Sequence, residues 1–254
     1  MQTFVESFRF MADNLGLLSQ KTLELLALSA AAIGISLLLA LPLGMWLGHL
    51  HRGSFVSINV ANVGRALPSL AVIAIGIGVL GLGFLNVMVA LVVLAVPPLL
   101  TNAYVAIDQV DPDAVQAARG MGMSPRQLFA RVELPLGLPL VFAGVRTAAV
   151  YVVATATLAA IAGGGGLGDI IVNQASYRLP GVIAAAIWVA AVALIVDLAL
   201  GLAQRLATPR GVRGPAPILG PSPTAATLPG REEAPAPHRS RGRPGTGSRA
   251  QGKT

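Results

Sequence analysis

Residues 83–107 read GFLNVMVALVVLAVPPLLTNAYVAI, a run with no Asp, Glu, Lys or Arg. A helix needs about 20 mostly apolar residues to cross a hydrocarbon core, so this stretch alone excludes an ordinary soluble domain. Moving outward, four more stretches of the same character appear: 24–48 and 56–80 before it, 138–162 and 181–206 after it. Each is rich in Leu, Val, Ile, Ala and Gly. The reading is an all-α, polytopic membrane helix bundle of about five spans. Pro68 falls in the second stretch and Pro97-Pro98 in the third. Membrane helices tolerate such breakers where neighbours satisfy the freed backbone groups, so they argue against straight helices and not against spanning.

Composition agrees. Of 254 residues, 54% are hydrophobic and 11% charged, against about 25% charged in soluble domains; the mean hydropathy is +0.72. The net charge of +7 is unevenly placed. Residues 1–207 carry ten Lys/Arg and nine Asp/Glu, whereas 208–254 carry eight and two. The basic character therefore belongs to a tail, which rules against a folded nucleic-acid surface. That tail has nine Pro, eight Gly and no aromatic residue. It buries too little to offset the ordering entropy and is expected to be disordered, either touching anionic headgroups through its arginines or simply solvated. With no cysteine, disulfides and cysteine-based metal or redox sites are excluded. The first 20 residues lack the basic-then-apolar order of a cleavable signal, so the first span is expected to serve as its own insertion signal.

In residues 1–20, Phe4, Phe8, Met11, Leu15 and Leu18 recur at spacings of four and three, one apolar face of a helix. Glu6, Arg9 and Asp13 lie off it. This segment reads as an amphipathic helix lying at the membrane interface, the alternative being a partner-binding helix. Orientation follows the distribution of basic residues. Placing 108–137 inside puts Arg52, Arg65, Arg119, Arg126, Arg131, Arg205 and the tail inside, with Arg9, Lys21 and Arg178 outside. The N-terminus is then outside and the C-terminus cytoplasmic.

The polar segment 108–137 carries clear punctuation. Asp111-Pro112 suits an N-cap followed by a first helical residue. The helix should reach about Met121, with Gly122 terminating it. Ser124-Pro125 repeats the start signal, and a second short helix should reach about Glu133, where Pro135 stops it. Two ordered helices are more than a connector needs and suggest a docking surface.

Gln116-Ala117-Ala118, Gly122, Val132 and Leu134-Pro135 resemble the EAA loop of bacterial ABC-importer permeases: Glu-Ala-Ala, three residues, Gly, nine residues, an aliphatic, one residue, Leu-Pro. Gln116 departs from the usual Glu. Arg119 to Met123, Val132 to Leu136, Ala143 to Arg146, Leu67 to Leu70 and Gly164 to Gly168 are similar to the osmoprotectant branch, whose solutes are glycine betaine, choline and carnitine. The resemblance covers about residues 20–207 and implies a permease domain over 21–207 with the type I importer fold, in the bacterial inner membrane. It implies a coupling element at Gln116, Ala117, Ala118, Arg119, Gly120, Met121, Gly122, Leu134 and Pro135, seated in a groove of a separate ATPase subunit. ATP and Mg would be bound there and not in this chain. The implied partners are two ATPases, a second permease (identical or a sister) and an extracytoplasmic solute-binding protein.

Gly247, Gly252, Lys253 and Thr254 match the P-loop spacing, and Gly163, Gly165 and Gly168 match a dinucleotide fingerprint, but neither has the strand and helix context those sites require. His49, His51 and His238 make no metal site, and no catalytic constellation is present; the chain reads as a transport subunit and not an enzyme. Arg146 and Asp197 fall inside spans, each about nine residues from the inner end and roughly 13 Å deep. Ionisable groups at that depth are paired or functional; a structural pair is favoured over a solute contact. Pro68, Ser69, Gly164, Gly165, Gly166 and Gly168 are candidates for a gate or path, with a plain flexible turn as the alternative for the glycines. The same machinery with methionine, phosphonate or sulfonate as cargo is the nearest alternative. A self-sufficient channel or secondary transporter is further off, since no paired repeat is visible.

Overall fold

The computed structural model describes residues 2–51, 59–60, 62–64 and 66–207. Arg52, Arg65, His238, the P-loop match and the tail 208–254 lie outside the described residues. The main elements are helices α1 (Gln2–Asp13), α2 (Leu15–His49), α3 (Ser69–Leu80), α4 (Phe84–Asp108), α5 (Pro112–Gly120), α6 (Pro125–Leu128), α7 (Leu134–Ala156), α8 (Gly168–Val172) and α9 (Gln174–Ala207). A π turn, Phe129–Glu133, joins α6 to α7, and a 3-10 turn, Thr157–Ala162, extends α7.

Among the described residues, four helical stretches are long and apolar enough to cross a membrane: Leu15–His49, Phe84–Asp108, Pro125–Ala162 and Gln174–Leu206. The fifth expected span, 56–80, is divided. Its C-terminal part is the shorter apolar helix α3, which begins at Ser69 because Pro68 is extended (φ −66°, ψ 120°) and acts as its N-cap. The first span starts well before residue 24. Lys21 and Glu24, which look like interfacial residues in sequence, are helical because they are engaged by the outer turn described below. The stretch 1–20 is therefore split at Asn14 between α1 and α2. Within it, Phe4 and Phe8 are 58% and 60% exposed, while Ser7 is buried and Phe10 meets Tyr177 edge to face. α1 thus turns part of its polar side to α9 and leaves phenylalanines outward.

α4 is the central element, packed by α2 on one side and α7 on the other. Lipid supplies little hydrophobic drive for helix association, so close backbone approach through small residues carries the packing. Gly44 and Gly48 of α2 meet α4 at its Leu100 and Tyr104 carbonyls; a Cβ at either glycine would lie 2.6 Å from those oxygens. Gly137 of α7 does the same against the Ala106 carbonyl of α4, and Gly144 makes room for the Asn102 side chain. Outward faces carry Leu38, Leu39, Ile75, Leu194, Ile195 and Leu198, the side chains expected of a surface facing acyl chains.

Candidate functional site

The loop at 108–133 is built by its own capping residues. Asp111 Oδ1 accepts from Asp113 N at 2.9 Å, which starts α5. At its far end Gly122, at φ +78°, lets Gly122 N reach Arg119 O at 2.9 Å and Met123 N reach Ala118 O at 3.3 Å. This paired closure of the last turn needs a left-handed residue, which a side chain disfavours. Ser124 then opens α6 with a reciprocal pair: Ser124 N donates to Gln127 Oε1 at 2.9 Å and Gln127 N to Ser124 Oγ at 3.4 Å. Val110, Val115, Ala118 and Leu128 form a small buried cluster beneath these helices. The loop residues therefore divide. Ala118 is internal, whereas Gln116, Ala117, Arg119, Gly120, Met121 and Gly122 face outward, with Met121 71% exposed.

Pro135 does not stop the second loop helix. Leu134 N bonds to Phe129 O, an i to i−5 closure that widens the turn. An ordinary helix has no room for a proline ring against the carbonyl four residues back; the wider π turn relieves that crowding, and the chain runs on into α7. Leu134 and Pro135 are consequently half-buried at the junction, away from the exposed loop tip.

Two ties at this junction were invisible in sequence. Glu133 is 1% exposed and its Oε2 lies 2.5 Å from His49 Nδ1 at the end of α2. His49 also meets the Phe129 ring edge at 5.7 Å. His51 Nδ1 lies 3.0 Å from Asp108 Oδ1. Both histidines fasten the C-terminal end of α2 to the loop and its neighbours. Partners 84 and 57 residues apart leave no local signal. Among the described residues, no group of three or more His, Asp or Glu is arranged to hold a metal ion.

At the other end of the bundle, residues 163–168 form a packed turn. Gly163, Gly165 and Gly166 have φ near +75° (78°, 73° and 80°), and Gly166, Leu167 and Gly168 are buried. Glu24 Oε2 accepts from Gly166 N at 3.1 Å, Lys21 Nζ donates to Asp169 Oδ2 at 2.7 Å and to Glu24 Oε2 at 2.9 Å, and Gly83 N donates to Ala162 O at 2.7 Å. The plain flexible turn is therefore not what the chain adopts. The other gate candidates, Pro68 and Ser69, sit at the opposite end of α3 from this turn, roughly 16–18 Å away at 1.5 Å per residue. The fold does not bring the two groups together.

Arg146 of α7 donates through Nε and Nη2 to the two carboxylate oxygens of Asp197 on α9. Gly201, one turn beyond Asp197, makes room: a Cβ there would lie 3.3 Å from Arg146 Nη1. A cleft lined by Ala143, Arg146, Thr147, Tyr151, Asp197 and Gln204 opens beside the pair. Thr147 and Tyr151 also line a second cavity of about 270 Å³ together with Gly64, Leu94, Pro98, Thr101 and Asn102.

The profile of the family described as "Binding-protein-dependent transport system inner membrane component" matches residues 40–209. The chain is similar to the choline transport system permease protein OpuBB of Bacillus subtilis (strain 168), 37% identical over 206 residues, which is 81% of this chain and 95% of the relative. The glycine betaine/carnitine/choline transport system permease protein OpuCB of the same organism matches with the same identity and coverage. Among solved structures, a chain of the inward-facing MetNI methionine ABC transporter superposes with a TM-score of 0.67 over 78% of this chain and 99% of that one, at 20% identity. At that identity the likeness is one of fold.

Proposed function

The chain belongs to the family of binding-protein-dependent transport system inner membrane components, and from that premise we propose that it is the permease subunit of an ATP-driven importer for onium osmoprotectants such as choline, glycine betaine and carnitine. It is a multi-pass inner-membrane protein. The observation that carries the solute class is the 37% identity to a choline permease across nearly that protein's whole length. In this reading the exposed tip of α5, from Gln116 to Gly122, seats in a groove of a separate ATPase, which binds ATP and Mg. With Gln116 in place of the usual Glu, that first position makes no charged contact, and the exposed Met121 and Arg119 carry the apolar and the charged part of the docking surface. The loop and the C-terminus face the cytoplasm, the Gly163–Gly168 turn faces an extracytoplasmic binding protein, and a second permease, identical or a sister, completes the pathway.

The mechanical logic follows from the geometry. α5 and α6 share a small core, so they move as a unit. The π turn makes α6 continuous with α7, and His49–Glu133 fastens the same junction to α2. A displacement of the loop tip is thereby delivered to two spans. The test is uptake by proteoliposomes carrying the permease with its ATPase and binding protein. We expect ATP-dependent accumulation of labelled choline, glycine betaine or carnitine. Accumulation of methionine with none of the onium solutes would overturn the solute assignment while leaving the importer reading in place.

A further inference from the structure

The 270 Å³ cavity lies at a level where polar groups are expensive unless used. Leu94, Pro98, Thr101 and Asn102 lie along one face of α4, and Thr147 and Tyr151 are one turn apart on α7. Pro98 is ten residues from the inner end of α4 at Asp108, about 15 Å along the helix, so the cavity sits near mid-membrane. Thr147 and Tyr151 are exposed although the opposite side of α7, at Ala148, Ala149, Val152 and Val153, is fully packed. The Thr147 hydroxyl is satisfied by its own helix, donating to Ala143 O at 3.0 Å; the Tyr151 phenol is the polar group turned outward at this depth, where it faces water or protein and not acyl chains.

The chemistry of the lining is selective. Its described lining residues include no Asp, Glu, Lys or Arg, and Arg146, which neighbours Thr147 on α7, is committed to Asp197. The lining is rich in oxygen. Pro98 has no N–H to offer the Leu94 carbonyl, which loses its helical donor. The Thr101 hydroxyl donates to Pro97 O at 2.9 Å, and the Asn102 amide nitrogen donates to Pro98 O at 2.8 Å, which leaves the Asn102 amide oxygen as its accepting group. Tyr151, 37% exposed, adds a ring face. Carbonyl oxygens and an aromatic face attract a bulky cation that carries no N–H. A neutral wall holds such a cation loosely, whereas a buried carboxylate would trap it; a transport site must release what it binds.

We infer that Tyr151, with Thr147 and Asn102, forms a mid-membrane way-station for the quaternary ammonium head of the solute, Tyr151 being the residue that distinguishes a trimethylammonium group from its uncharged isostere. This rests on the proposed onium solute class. The chain's lack of cysteine makes a direct test available. Thr147→Cys in the assembled complex is labelled with a trimethylammonium methanethiosulfonate reagent and the mass shift of this chain is followed. Choline should slow labelling by about tenfold, and 3,3-dimethylbutan-1-ol, its neutral isostere, should not. Adding Tyr151→Leu should remove the protection, and Tyr151→Phe should retain it. In uptake, Tyr151→Leu should lower the choline rate by a similar factor while the affinity of the binding protein stays the same. No labelling at position 147, equal protection by the neutral isostere, or protection that survives Tyr151→Leu would overturn the inference. Should Tyr151→Leu fail to assemble, the choline-against-isostere comparison with Tyr151 intact still decides. Failure of wild-type uptake of every onium solute would instead overturn the solute class, a separate result.

Discussion

Two polar connections among the described residues, 108–133 (the inner loop of the proposed orientation) and 163–172 (its outer turn), are held in opposite ways. The inner loop is assembled from neighbours: Asp111 caps Asp113, Ser124 and Gln127 cap each other, and Gly122 closes the turn on Ala118 and Arg119. The outer turn is assembled from strangers. Gly166 is bound by Glu24 and Asp169 by Lys21, more than 140 residues away in sequence, and its glycines are pressed against Val87, Leu25 and Thr157. A loop that carries its own caps keeps its shape while it moves against a partner. A turn braced by other helices keeps its shape only while they stay in place, and so reports on their arrangement.

Substitutions should separate these two modes. The largest expected effect is at Gly168, where a Cβ would lie 1.9 Å from the backbone oxygen of Thr157. Overpacking of this kind costs about 1–3 kcal/mol or more, and Gly168→Val should lower the thermal midpoint of the purified protein sharply. Next is His49→Ala, which strips the buried Glu133 of its hydrogen-bond partner. A buried group left unpaired costs about 1–3 kcal/mol, and the loss should be seen in the same melting series. Gly122→Asp should cost about 1 kcal/mol, the strain of a side chain in the left-handed region, since no atom lies within 4 Å of its would-be Cβ. Yet it should abolish ATP-driven uptake at normal membrane levels, because it alters the exposed tip; uptake at the wild-type rate would count against docking there. The smallest effect is expected from Lys21→Met. Its pairs with Glu24 and Asp169 are partly exposed, and such pairs contribute about 0–1 kcal/mol. A larger loss would mean that the ion cluster, and not glycine packing, holds the outer turn.

The same contrast explains what was legible in the sequence. Four of the five expected spans were, because apolar length is a one-dimensional property; 56–80 was not, because Pro68 starts a shorter helix within it. The inner loop was, because capping acts over two to four residues and Asp111-Pro112 and Ser124-Pro125 state it locally. The outer turn was visible only as a glycine run, since its bracing residues lie in α2. Pro135 misled because its local rule is overridden by the turn before it. The early start of α2 was missed for the same reason as the outer turn: Lys21 and Glu24 look interfacial until Asp169 and Gly166 are placed beside them. His49 and His51, which the sequence marks only as no metal site, acquire partners in three dimensions.

The π turn at Phe129–Glu133 has a consequence in angular terms. An α-helix advances about 100° per residue, and a wide turn accommodates one residue beyond the regular winding. Everything on the α5–α6 side is therefore rotated about the α7 axis by about that angle relative to an uninterrupted helix. The bulge acts as a phase shifter: it sets the azimuth at which the loop tip is presented, independently of where Arg146, Thr147 and Tyr151 point on the same rod. Removing one residue from the turn would leave both faces chemically intact and aim them in the wrong directions.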